Sequence, residues 1–203
     1  ASIIPHKVGQ LAKQLGLWVI IGSHHYEATS NKPFNSLFVF NSDGELLHRY
    51  DKRMLTTEDL NNYSHGTQPV TFILKGVKCG LLICHEWRYP EVYRLYQRQG
   101  VKVIFQSWFD GGLSEQAYRE EGEELGNLIV GYSRGNAANN HMWLSASNNC
   151  NPESCFGSFV AQPDGRILHQ LERNVPGVLI STLLFDKAFS DPSRHNRQNL
   201  SRL

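Results

Sequence analysis

Sulfur is scarce in this 203-residue chain, which carries four cysteines and two methionines. Four cysteines at these spacings build no disulfide framework, so a reduced, cytoplasmic protein is expected. Charge of one sign is lacking too, with 20 Lys and Arg against 19 Asp and Glu. That balance excludes a broad nucleic-acid surface. No apolar run approaches the roughly 20 residues that span a bilayer. The opening Ala1-Ser2-Ile3-Ile4-Pro5-His6 has none of the zones of a signal peptide. Neither a nucleic acid nor a membrane is therefore expected as a partner. The chain does not begin with Met, and its natural start is expected upstream.

Several chemical signatures are missing as well. There is no G-x-G-x-x-G and no G-x-x-x-x-G-K-[ST], which removes two phosphate cradles. No G-x-S-x-G elbow occurs, which removes one type of serine hydrolase. No H-E-x-x-H or C-x-x-C is present, and Cys150 and Cys155 have no matching second pair. His24 and His25 are adjacent and would face opposite sides of a strand. Neither metal nor organic cofactor is expected.

What is present reads as alternating helices and strands. Ile4, Val8, Leu11, Ala12 and Leu15 keep helical spacing, with Gly16 as a stop. Residues 17–22 form a strand. Residues 37–40 and 46–50 flank Ser42-Asp43-Gly44, and residues 70–74 and 77–83 flank Lys75-Gly76; both patterns predict hairpins. A helix is expected over residues 89–99 with Pro90 near its start. A strand follows over 101–106, then a helix from Ser114 to about Ala138 with Glu120, Glu121, Glu123 and Glu124 exposed. Four more strands are expected at 142–146, 156–161, 167–171 and 178–183, with a turn at Pro163-Asp164-Gly165. Hairpins mixed with strand–helix–strand units predict an α/β layered domain with mixed sheets. One domain over residues 1–203 is expected, ending in a polar surface arm over 190–203.

The run Gly80-Leu81-Leu82-Ile83-Cys84-His85-Glu86-Trp87-Arg88-Tyr89-Pro90-Glu91 carries the strongest chemical signal. It ends a buried strand on a thiol and opens a helix six residues later. A thiol at such a corner is exposed to reactants and ionises more readily, which favours a nucleophile. The amide N–H of His85 is placed to meet an oxyanion. The plain alternative is a small buried residue at the end of a strand. Lys52, in Tyr50-Asp51-Lys52-Arg53, is either a solvated strand-end lysine or an oxyanion donor. Glu58 and Asp59 suit a helix start, or one of them holds the lysine. Arg88 is expected to tie down the corner through an ion pair, and Glu91 to stabilise the first helical turn. Gln106, Trp108 and Phe109 follow a strand and are expected to line a pocket.

These pieces together resemble the carbon–nitrogen hydrolase (nitrilase) superfamily. The likeness runs from about residue 8 to about residue 194. The cysteine block is similar to the family's "iC-aromatic-D/E-x-R-aromatic-P-E" signature, with His85 where an aromatic residue is usual. Leu11-Ala12 to Gly22, Asn35 to Leu46, Tyr50-Asp51-Lys52, Arg134 to Asn139, and Phe156-Gly157-Ser158 with Pro163-Asp164-Gly165 resemble flanking segments. The resemblance implies an αββα sandwich, a Glu–Lys–Cys triad, no cofactor and a homo-oligomer. It places the nucleophile on Cys84, the lysine on Lys52 and a supporting acid on Asp59, with Glu58 beside it. The family's general-base glutamate lies on an earlier strand, so the chain reads as a member lacking its first strand–helix–strand unit. Glu27 does not take that place, because it follows the 17–22 strand.

The implied activity is hydrolysis of a small amide or N-carbamoyl amine, with a nitrile as a third option, through a thioester on Cys84. The alternative is a catalytically inactive relative or fragment that works as a binding or assembly protein. An unrelated thiol enzyme pairing Cys84 with His85 is disfavoured, because neighbours at a sharp turn seldom orient each other. If the 203 residues were the whole protein, uncovered strand edges would drive association.

Overall fold

The computed structural model describes residues 3–109 and 113–198. The chain divides into two compact units, Ala1–Phe72 and Ile73–Leu203.

The first unit begins with helix α1 (Ile3–Leu15), which stops at Gly16 as its spacing predicts. Strands β1 (Val19–His25), β2 (Phe34–Phe40) and β3 (Leu46–Asp51) follow. They form one antiparallel sheet in the order β1-β2-β3. The β2–β3 connection is closed by Asn41, whose side-chain oxygen accepts the amides of Asp43 at 3.0 Å and Glu45 at 2.9 Å. This is the local bonding that makes Asn a turn former. Ala12 packs with Phe38 and Phe40, joined by Val8, Val19 and Ile21. Leu11 and Leu15, expected on the same apolar stripe, are exposed instead. One face of α1 covers the sheet, and these two leucines lie off that face. A short helix α2 (Asp59–Asn62) follows β3.

The second sheet starts with β4 (Thr71–Leu74) and β5 (Val77–Ile83). The turn between them has positive φ at Lys75 (48°) and Gly76 (83°). Two such residues make a type I′ turn, whose twist matches that of a hairpin. A 3₁₀ turn over Cys84–Arg88 leads into α3 (Pro90–Arg98). Strand β6 (Val103–Ser107), helix α4 (Glu115–Asn140) and strand β7 (Trp143–Ser147) come next. Strands β8 (Phe159–Ala161) and β9 (Ile167–Gln170) complete the sheet. Its order is β4-β5-β6-β7-β8-β9. The β5–β6 and β6–β7 pairs are parallel. The β7–β8 and β8–β9 pairs are antiparallel. The mixed sheet expected from sequence is present.

Parallel pairing puts Ile83, Ser107 and Ser147 in register at one end of β5, β6 and β7. Leu81, Leu82, Ile104, Leu144 and Phe159 are fully buried, each contributing about 2 kcal/mol by leaving water. Helix α3 buries Val92, Tyr93 and Tyr96. Helix α4 starts on Ser114, whose hydroxyl accepts the Ala117 amide at 3.2 Å. Its four expected surface glutamates are exposed.

Two expectations change here. The run 178–183 is β-prone but belongs to no strand. Val178 and Ile180 are 85% and 83% exposed. Strand propensity expresses itself through a paired neighbour, and among the described residues this run has none. The polar end of the chain is also not simply a surface arm. Helix α5 (Arg194–Gln198) carries Arg197. That side chain is buried, donates to the Asn139 carbonyl at 2.8 Å and pairs with Asp191. Residues 199–203 of the expected arm lie outside the described residues. Among those described, no helix is long and apolar enough to cross a membrane.

Candidate active site

Strand β5 is buried through Ile83, and the chain then turns sharply. Cys84 sits at the turn with φ of 43°. An L-residue held there carries roughly 1–3 kcal/mol of strain, a cost found mainly where surrounding structure enforces it. Buried polar side chains enforce it here. Glu86 is fully buried and its carboxylate accepts the Ile83 amide at 2.7 Å. The Gln106 side-chain amide donates to the Cys84 carbonyl at 3.0 Å. Tyr93 donates its hydroxyl to the other end of Gln106 at 2.6 Å. Tyr96 donates to the Leu81 carbonyl at 2.7 Å, and Asn136 to the Trp87 carbonyl at 3.2 Å. Burial pushes the Tyr93 hydroxyl far above its ordinary pKa, so it stays a donor.

The Cys84 thiol is half-buried, and its sulfur lies 4.0 Å from the Phe109 carbonyl. Cys79, in the interior of β5, is a different thiol: burial pushes its pKa up to about 11. Such a thiol stays protonated and inert near neutrality.

The three expected pocket residues separate. Gln106 is 1% exposed and both ends of its amide are engaged within the protein. Trp108 is buried against Trp87 and Phe156. Phe109 is 69% exposed. Gln106 is thus a support under the Cys84 backbone, and Trp108 is packing. Arg88 makes no ion pair among the described residues; its guanidinium stacks on Trp87, 4.5 Å from the ring centre. Glu91 falls in the first turn of α3 behind Pro90, as expected. His85 meets the edge of the Tyr89 ring at 5.7 Å. Sequence reasoning missed Tyr93 and Tyr96. Their signal was the i, i+3 spacing of two tyrosines on an apolar helix face, where each hydroxyl needs a partner.

The first unit supplies a buried ion pair. Lys52 follows β3 and is 3% exposed. Its Nζ donates to Asp59 Oδ2 at 2.5 Å. The same oxygen accepts the Thr56 amide at 3.0 Å, while Thr56 Oγ1 accepts the Asp59 amide at 2.9 Å. This reciprocal cap fixes the start of α2 and aims the carboxylate at the lysine. Glu58, the other candidate acid, is exposed at the cap position, where its carbonyl accepts the Asn61 amide at 3.1 Å. Burial pushes the Asp59 carboxyl up, but the hydrogen bonds from Lys52 and Thr56 outweigh this and hold it below its usual value. Glu27 is occupied elsewhere, pairing with Arg49 at 2.5 Å.

Gly66 holds this strand end from outside. Its amide donates to the Lys52 carbonyl at 2.9 Å, and a Cβ on it would lie 2.0 Å from the Asp51 carbonyl oxygen. Gly66→Ala is expected to destabilise the protein by about 3 kcal/mol, the upper range for overpacking. A melting temperature within a degree of wild type would contradict that. Among the described residues no group of three or more His, Cys, Asp or Glu is placed to hold a metal ion.

A profile of the carbon–nitrogen hydrolase family matches residues 5–188. The chain belongs to this family. Among its relatives is the 2-oxoglutaramate amidase of Bacillus subtilis (strain 168), 26% identical over 163 residues, covering 77% of this chain and 58% of the relative. A formamidase of Photorhabdus laumondii is 26% identical over 176 residues, covering 84% of this chain and 48% of the relative. The chain thus spans about half the length of these curated relatives. The solved structure of the amidase NitN from Nesterenkonia sp. AN1 superposes with a TM-score of 0.76 at 22% identity, covering 98% of this chain and 73% of the other. This family member therefore shares the fold of an amidase of the nitrilase superfamily.

Proposed function

We propose that this protein is a thiol-dependent hydrolase of small carbon–nitrogen compounds, with Cys84 as nucleophile. The observation that carries this is the Cys84 backbone, held at φ 43° by buried hydrogen bonds at the end of β5. A structural cysteine needs no such arrangement. Cys84 Sγ attacks the carbonyl carbon of the substrate. The His85 N–H stabilises the charge on its oxygen. The family resemblance gives Lys52 the role of a second donor, and Asp59 holds its Nζ in place. Ammonia or an amine departs with a proton, leaving an acyl thioester that water releases as the acid.

Simple amides are the favoured substrates. The two curated relatives named above are amidases by name, and in another structure a mutant of the Nesterenkonia amidase is in complex with butyramide. N-carbamoyl amines are the second choice and nitriles the third. The test is incubation with propionamide, an N-carbamoyl amine and propionitrile, followed by ammonia assay and intact mass. An acyl adduct mapped to Cys84 supports the proposal; no adduct and no ammonia from any of the three rejects it.

The reading extends to a cytoplasmic homo-oligomer. Leu11 and Leu15 lie one turn apart on α1, and both are exposed, as are Val178 and Ile180 in the second unit. Exposed apolar groups of this size favour association. Light scattering at micromolar concentration is expected to report a dimer or larger; a monodisperse monomer would speak against it.

A further inference from the structure

We propose that Gln106, held by Tyr93, is a positioning residue that orients the Cys84–His85 peptide and thereby aims the His85 N–H at the substrate oxygen. This rests on the thiol-hydrolase reading above. A trans peptide is planar, so the carbonyl of Cys84 and the amide N–H of His85 point in opposite directions from one rigid plate. Whatever fixes the carbonyl also fixes the N–H. The Gln106 amide donates to that carbonyl at 3.0 Å.

The orientation of Gln106 itself is determined chemically. A backbone carbonyl only accepts, so the side-chain nitrogen must face it, which turns the side-chain oxygen away. That oxygen meets the Tyr93 hydroxyl, a donor, at 2.6 Å. Gln106 and Tyr93 are 1% and 0% exposed, so bulk water does not compete for these bonds. Gln106 lies on β6 in register with Leu82 of β5, two residues before the nucleophile. An apolar side chain would fill this place in the core at lower desolvation cost. The amide adds one thing that an apolar group lacks, a donor directed at the Cys84 carbonyl. The need for it follows from the positive φ of Cys84, a conformation the backbone does not favour unaided.

The test separates attack on a carbonyl from simple thiol reactivity. Butyraldehyde adds to Cys84 as a thiohemiacetal: the sulfur–carbon bond forms, the carbonyl π bond breaks, and the oxygen takes the thiol proton. That oxygen occupies the place of the tetrahedral oxyanion. Iodoacetamide alkylates the same sulfur with loss of iodide and builds no charge on an oxygen. The alkylation rate of Cys84, mapped by mass spectrometry, is measured on the 203-residue chain with and without butyraldehyde. Gln106→Met keeps the length of the side chain and removes the donor. It is expected to weaken butyraldehyde protection about tenfold, below the full loss of an oxyanion donor. Its alkylation rate without aldehyde should stay within about twofold. Tyr93→Phe, which frees the amide to turn over, should show a smaller loss in the same direction; it decides the matter alone if Gln106→Met does not fold.

Protection within twofold of wild type in the variants overturns the proposal and leaves the hydrolase reading standing. Equal losses in alkylation and in aldehyde affinity also overturn it, because they indicate general support of the fold. A wild-type protein that butyraldehyde does not protect overturns the hydrolase reading and this proposal together.

Discussion

Cys84→Ala is expected to remove hydrolysis of the preferred amide by at least about a thousandfold, as loss of a covalent nucleophile does in other hydrolases. Stability should change little, because alanine retains the Cβ and the corner is held by Glu86 and Gln106 through backbone groups. Cys84→Ser should be nearly as inactive. A hydroxyl ionises far less readily than a thiol. Cys150→Ala provides the control, since that thiol is exposed and lies beyond β7. Ammonia release and intact mass read the outcome. Full activity in Cys84→Ala would end the thiol mechanism.

Asp59→Asn is expected to have the largest effect on stability. Lys52 is 3% exposed and Asp59 is its carboxylate partner. Removing one member of a buried pair leaves the other without compensation, at about 3 kcal/mol here; this is the low end of the range because Asp59 keeps some access to solvent. The melting temperature should fall by roughly 6–12 °C for a chain of this size. The pH dependence has a defined sign. Asp59 is held below its ordinary pKa in the folded state. Its contribution is complete above the unfolded value of about 3.9 and is lost as pH falls through the lower, folded value. The gap between wild type and Asp59→Asn should therefore be constant at neutral pH and close only in strong acid. Lys52→Met/Asp59→Leu should regain part of the stability but none of the activity, because it removes both charges together with the lysine to which the family resemblance gives the donor role. Melting curves from pH 2 to 8 check this. A gap that widens in acid would contradict the pairing.

Much of the architecture could be read from local chemistry. Ser42-Asp43-Gly44 and Lys75-Gly76 mark the two hairpins because turn residues act within a few positions of themselves. Pro90 and Ser114 mark helix starts for the same reason. The run 178–183 was misread because a strand depends on a neighbour that sequence does not name. The choice between Glu58 and Asp59 was open for a similar reason: two adjacent acids look alike until the Thr56 cap sets which one turns inward. Cys84 was visible as a thiol at a corner. The partner of Gln106 was not, because 22 residues of chain separate it from the carbonyl it holds.

The register of the parallel strands carries one more consequence. Because β5, β6 and β7 finish level with one another, the segments that leave them begin side by side. Only the segment after β5 begins with Cys84. Those after β6 and β7 can change side chains around it, provided Gln106 inside β6 and the Phe109 carbonyl, 4.0 Å from the sulfur, stay in place. The surroundings of this corner can therefore diversify among descendants of such a scaffold while the corner itself is inherited intact.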